Sequence, residues 1–167
     1  MSYRLARFLR TDLERRIHAL EPSPVLKPGD FPWAREVEAF YPAIRAEALK
    51  VLERIDSIAN FDEVLPGQRA LYQKESWKSF FLVCLKEDIS SHQRACPATT
   101  EALRRVPGLI NAFFSILKPG VQIPAHRGPY AGVLRYHLGV VIPKGDVAIR
   151  VADRVCRWTE GGSLFFD

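Results

Sequence analysis

Residues 115–167, SILKPGVQIPAHRGPYAGVLRYHLGVVIPKGDVAIRVADRVCRWTEGGSLFFD, decide the fold. Lys118-Pro119-Gly120 suits a type II turn, with proline setting φ and glycine taking the positive φ. Arg127-Gly128-Pro129, Pro143-Lys144-Gly145-Asp146 and Glu160-Gly161-Gly162 punctuate the rest. Between them, 121–126, 132–142, 147–158 and the run from 163 to 166 read as strands. Short strands with turns at this spacing indicate a sandwich or barrel rather than βαβ units.

Alternation sorts the side chains of 132–142 onto two faces. Leu134, Tyr136, Leu138, Val140 and Ile142 make an apolar set suited to packing. Val133, Arg135, His137, Gly139 and Val141 make the other, in which a guanidinium and an imidazole sit side by side among small residues. Such a pair suits a ligand carrying carboxylate groups. It equally suits the solvent face of a half-buried sheet, and spacing alone leaves both open. His126 stands at a strand end beside a Gly-Pro corner, where an imidazole can take a metal. A lone histidine is more often a polar residue with a satisfied hydrogen bond. The local His-x-Asp/Glu form of a non-haem iron site is missing here, because the third position is Gly128.

The whole pattern resembles the aspartyl/asparaginyl β-hydroxylase family of Fe(II)- and 2-oxoglutarate-dependent dioxygenases, which is itself similar to bacterial lipid A hydroxylases. The resemblance is carried by Ser115, Pro119-Gly120, His126-Arg127-Gly128-Pro129, Leu134-Arg135-Tyr136-His137-Leu138-Gly139, Pro143, Trp158-Thr159-Glu160-Gly161 and Phe166-Asp167. Ser76-Trp77-Lys78-Ser79-Phe80 and the Cys96-Pro97-x-Thr99 start of a helix fit it too. In that family a glycine stands where other oxygenases carry the carboxylate, so Gly128 does not speak against iron. The resemblance implies His126 as the first Fe(II) ligand. It implies Trp77, Ser115 and His137 around the co-substrate 2-oxoglutarate, and Arg135 facing an acidic group of the substrate. A second ligand histidine and an arginine for the far carboxylate would follow the Phe-Asp end. The sequence stops at Asp167, so the expected barrel is C-terminally incomplete and the chain is expected to be a fragment. The fold implied is mainly β with N-terminal helices, an α+β chain whose core is a double-stranded β-helix of the jelly-roll or cupin type.

The length, 167 residues, suits a single domain with a real core. The expected layout is a helical part over 1–58 packing on a barrel core over 76–167. Nearly half the residues are apolar and about a quarter charged, an ordinary globular composition. The formal charge of +5 is spread rather than clustered, and no basic patch interleaved with aromatics suggests nucleic acid. There is no apolar run of membrane-spanning length and no signal-peptide pattern, which makes the cytoplasm the default expectation. Three cysteines without CxxC spacing read as free thiols. Residues 1–20 read as a basic amphipathic helix, for which a docked helix is favoured over a membrane surface. Residues 33–58 carry a second apolar stripe, with Pro42 expected to bend it or shorten its start. Residues 77–85 and 109–117 read as strands. Residues 86–96 read as a polar loop with His92 exposed, followed by a helix capped at Thr99 or Thr100.

Two functions are compatible with this pattern. One is a hydroxylase that oxidises 2-oxoglutarate to succinate and CO2 while hydroxylating a C–H bond of an Asp or Asn residue, an amino acid or a lipid head group. The other is a catalytically inactive barrel that keeps its carboxylate-binding face.

Overall fold

The computed structural model describes residues 23–61, 76–126 and 133–167. The helix expected over 1–20, the turn at Pro66-Gly67 and the corner Arg127-Gly128-Pro129 lie outside the described residues. In chain order the elements are β1 (Val25–Leu26), α1 (Trp33–Ala39), α2 (Tyr41–Leu52), β2 (Trp77–Cys84), β3 (Glu87–Asp88), α3 (Ser90–Ala95), α4 (Pro97–Leu103), β4 (Ala112–Leu117), β5 (Arg135–Leu138), β6 (Ala148–Val151), β7 (Arg154–Arg157) and β8 (Ser163–Phe166). All strand pairs are antiparallel, which with the helices makes an α+β chain. No helix among the described residues is long and apolar enough to cross a membrane. Of the described residues, 32–126 form one compact unit and 23–31 with 133–167 form another.

In the first of these units β2 is the central strand of a sheet ordered β3-β2-β4. Its sequence WKSFFLVC is apolar on both faces, and six of its eight residues are buried. On one face Phe80 and Leu82, with Phe114 and Ile116 of β4, pack against Val51, Ile58 and Cys96. On the other, Trp77, Phe81 and Phe113 pack around Phe61. The hairpin joining β2 to β3 turns through Leu85 and Lys86, both at positive φ. That conformation matches the twist of a two-residue hairpin but is costly for residues with a Cβ. Asn111 and Ile110 hold the turn by accepting the two backbone N–H groups.

The helix expected over 33–58 is two helices. Pro42 lies in the first turn of α2, where its missing N–H is not needed. The same ring forbids continuation of α1, since it would meet a carbonyl one turn back. The apolar stripe survives in two pieces, Ala34 and Val37 on α1 and Ile44, Ala48 and Val51 on α2. The polar run expected as a loop over 86–96 contains α3, a helix with no apolar period. Tertiary bonds hold it: His92 Nδ1 donates to the Phe81 carbonyl at 2.7 Å, and Gln93 Nε2 donates to the Leu82 carbonyl at 3.1 Å. The His92 ring also stacks on Phe80 with centroids 3.9 Å apart. His92 is therefore half-buried rather than exposed.

The cap of α4 comes from neither threonine expected to supply it. Glu47, on α2, reaches the open N-terminus of α4, where its carboxylate accepts from the Ala98 and Thr99 amides at 2.8 and 2.9 Å and from the Thr99 hydroxyl at 2.6 Å. Three donors and the positive helix end offset the cost of burying the charge. Burial, with Glu47's charge added, pushes the enclosed Cys96 thiol up to about 11. It packs as a small apolar residue and is no nucleophile.

In the second unit β8 is the centre of a sheet ordered β1-β8-β5. Phe165 is fully buried, with Phe31 stacked on it at 4.2 Å and Tyr136 against it at 4.9 Å. The single strand expected over 147–158 is a hairpin of β6 and β7 joined by Ala152-Asp153. Ala152 takes φ +52 without the glycine or asparagine that would have marked the turn. Residues 121–126 form no ladder, and the strand that begins at 163 is β8 as expected.

Glu47→Ala strands the two α4 amides and the Thr99 hydroxyl, and is expected to lower stability by about 2–4 kcal/mol. Glu47→Gln keeps one acceptor and is expected to lose less. Urea unfolding midpoints of the two variants at neutral pH check the order.

Candidate functional site

Trp77 and Ser115 come together on β2 and β4. The ladder pairs Trp77 with Leu117 and Ser79 with Ser115, so Trp77 and Ser115 are diagonal neighbours on one face. The Trp77 indole N–H donates to Ser115 Oγ at 2.9 Å. Because that oxygen is accepting, the Ser115 hydroxyl proton remains available as a donor, and the side chain is exposed. The indole itself is buried, stacked on Phe61 at 4.0 Å and nearly parallel to it. Phe61 sits before the strand and outside any motif, and its aromatic bulk was the only sign of this role.

His126 is exposed at the end of the extended run 121–126. Its Nδ1 donates to the Pro124 carbonyl at 2.9 Å. That bond sets the tautomer and leaves Nε2 as the free nitrogen, the arrangement a ligating histidine normally has. An iron site of the facial-triad type asks for two imidazoles and a carboxylate. Among the described residues no group of three His, Cys, Asp or Glu side chains is close enough to hold a metal. One ligand position fits, and the others are not supplied by the described residues.

Arg135 and His137 share a face of β5, and the register with β8 adds Leu164 and Phe166 to it. The His137 ring meets Phe166 edge-on at 4.8 Å and lies nearly parallel to Trp158 at 5.9 Å. Trp158 belongs to the Trp-x-Glu-Gly motif, and only the structure reveals what that motif does. Its turn crosses β5 at Gly139, whose N–H donates to the Gly162 carbonyl and whose carbonyl accepts from Gly161. A Cβ at Gly139 would run into the Thr159 carbonyl oxygen, so only glycine allows the turn to lie this close. Burial lowers the His137 pKa to about 4, and the neighbouring Arg135 charge pushes it the same way. The imidazole is neutral at physiological pH. Burial also lowers the Arg135 pKa, while the Asp167 carboxylate opposes the shift. The pair thus offers one full positive charge and one neutral imidazole, a combination suited to an anionic ligand.

Set beside known proteins, residues 38–167 match the model of the aspartyl/asparaginyl beta-hydroxylase family. An ornithine lipid ester-linked acyl 2-hydroxylase of Rhizobium tropici is 45% identical over 146 residues, 86% of this chain and 52% of that protein. The aspartyl/asparaginyl beta-hydroxylase of Homo sapiens is 31% identical over 140 residues, 80% of this chain and 18% of that protein. Aspartate beta-hydroxylase domain-containing protein 1 of Mus musculus is 35% identical over 83 residues, 46% of this chain and 23% of that protein. The chain spans about half the length of the first of these relatives and less than a fifth of the second.

The depressed His137 pKa has a signed consequence for stability. Between pH 6.5 and about 4 the unfolded chain binds the proton that the folded chain refuses, so stability falls as pH is lowered through that window. The loss is on the order of 3 kcal/mol. Thermal melts at stepped pH are expected to show it in the native chain and to show a flatter profile for His137→Gln.

Proposed function

The chain belongs to the aspartyl/asparaginyl β-hydroxylase family, and from that premise we propose that it carries part of the active site of an Fe(II)- and 2-oxoglutarate-dependent hydroxylase. In this proposal its sheets are parts of a double-stranded β-helix of the jelly-roll type. The substrate is an acyl lipid with a charged head group, in keeping with the lipid hydroxylase to which the chain is 45% identical.

The observation that carries the reading is the pairing of Arg135 with a neutral His137 inside an aromatic frame. A neutral imidazole can hydrogen-bond a carboxylate without setting a second full charge beside the guanidinium. His137 and the Ser115 hydroxyl would bind carboxylate oxygens of 2-oxoglutarate, with Trp77 fixing the direction of the Ser115 donor. Arg135 would orient the substrate through its carboxylate or phosphate, holding the reacting C–H in place. His126 would supply one ligand to Fe(II). When bound, Fe(II) with 2-oxoglutarate and O2 supplies the chemistry of C–H hydroxylation, and the protein supplies orientation, charge and exclusion of water.

A second reading has one observation in its favour. Among the described residues no group of three His, Cys, Asp or Glu side chains could hold a metal, as would suit a domain that binds a carboxylate ligand without redox chemistry.

Succinate release by the full-length protein, with Fe(II), 2-oxoglutarate and an acyl lipid, separates the readings. The hydroxylase reading expects lipid-stimulated turnover that falls by at least about tenfold in His126→Ala. Thermal stabilisation by 2-oxoglutarate with no succinate in any sample and no dependence on metal would favour the binding domain.

A further inference from the structure

A cavity of about 900 Å3 opens on the helical side of the β3-β2-β4 unit, away from any assigned residue except through β2 itself. Its volume falls in the range of roughly 300–1,000 Å3 typical of small-molecule sites. The inner wall is apolar and built from Val51, Ile58, Phe80 and Ile89. Polar groups interrupt it. Among them is His92, whose Nδ1 is committed to the Phe81 carbonyl and whose ring stacks on Phe80, so that its remaining edge is held in one orientation.

The rim is different. Lys50, Glu53 and Arg54, exposed at the end of α2, leave a net single positive charge at the mouth. An apolar interior with a cationic rim matches a hydrocarbon chain that ends in an anion. We propose that this cavity binds the acyl chain of an anionic amphiphile, with the acid group at Lys50 and Arg54. Binding here does not depend on the hydroxylase reading, and it is measured without turnover. If both hold, the acyl chain lies against β2, the strand that carries Trp77.

Titration calorimetry of the full-length protein with decanoate tests the assignment, with decyltrimethylammonium as the cationic counterpart. Saturable one-to-one binding of decanoate is expected, weaker by about tenfold for the cationic probe and in Lys50→Glu/Arg54→Glu. Ala95→Trp, at an exposed position on the wall, is expected to abolish binding while leaving the thermal melt unchanged. Decanoyl lysophosphatidylglycerol distinguishes the source: binding of both probes assigns an acyl lipid, and binding of decanoate alone assigns a free fatty acid. Failure of decanoate to bind, equal binding of the cationic probe, or undiminished binding in a folded Ala95→Trp variant overturns the proposal.

Discussion

A single bond from the Trp77 indole to Ser115 Oγ ties the packing of this chain to the face proposed to bind its co-substrate. It requires β2 and β4 to be in one register, since a slip of one residue would send the two side chains to opposite faces. The register is in turn held by aromatic pairs, Phe81 against Phe113 at 4.5 Å and Phe61 over the indole. The outcome is an exposed hydroxyl whose oxygen already accepts one bond and whose proton remains available to donate. Packing that would otherwise be generic acquires a direction.

The second unit solves a comparable problem by close approach. Gly139 lets the Trp158 turn lie against β5, and Trp158 with Phe166 encloses His137. Enclosure removes water, and removing water keeps the imidazole neutral beside a guanidinium. A neutral donor and a cation on adjacent same-face positions suit an anion in a way that two cations would not improve, because the second charge would be costly to desolvate.

Much of this was legible in the residues, and the failures have physical causes. The alternation in 132–142 placed Arg135 and His137 on one face, and β5 and β8 keep that arrangement. Trp77 looked like a core residue by pattern, and it is one, while also donating to Ser115. The hairpin at Ala152-Asp153 escaped notice because its positive φ falls on alanine. The helix α3 escaped because tertiary bonds to β2 form it rather than any periodicity of its own. Glu47 was unreadable in principle: a carboxylate on α2 caps a helix fifty residues later, and no local rule reports on that distance. Pro42 was read as a bend or a shortened start, and the structure makes it the start of a separate helix.

The central claim is that the neutral, aromatic-framed His137 binds a carboxylate of an anionic co-substrate. Titrating 2-oxoglutarate into the Zn(II)-loaded protein tests it by NMR, following the His137 ring resonances, assigned with His137→Gln. The account predicts that these signals shift and saturate with ligand concentration. No saturable shift of the His137 signals would contradict it.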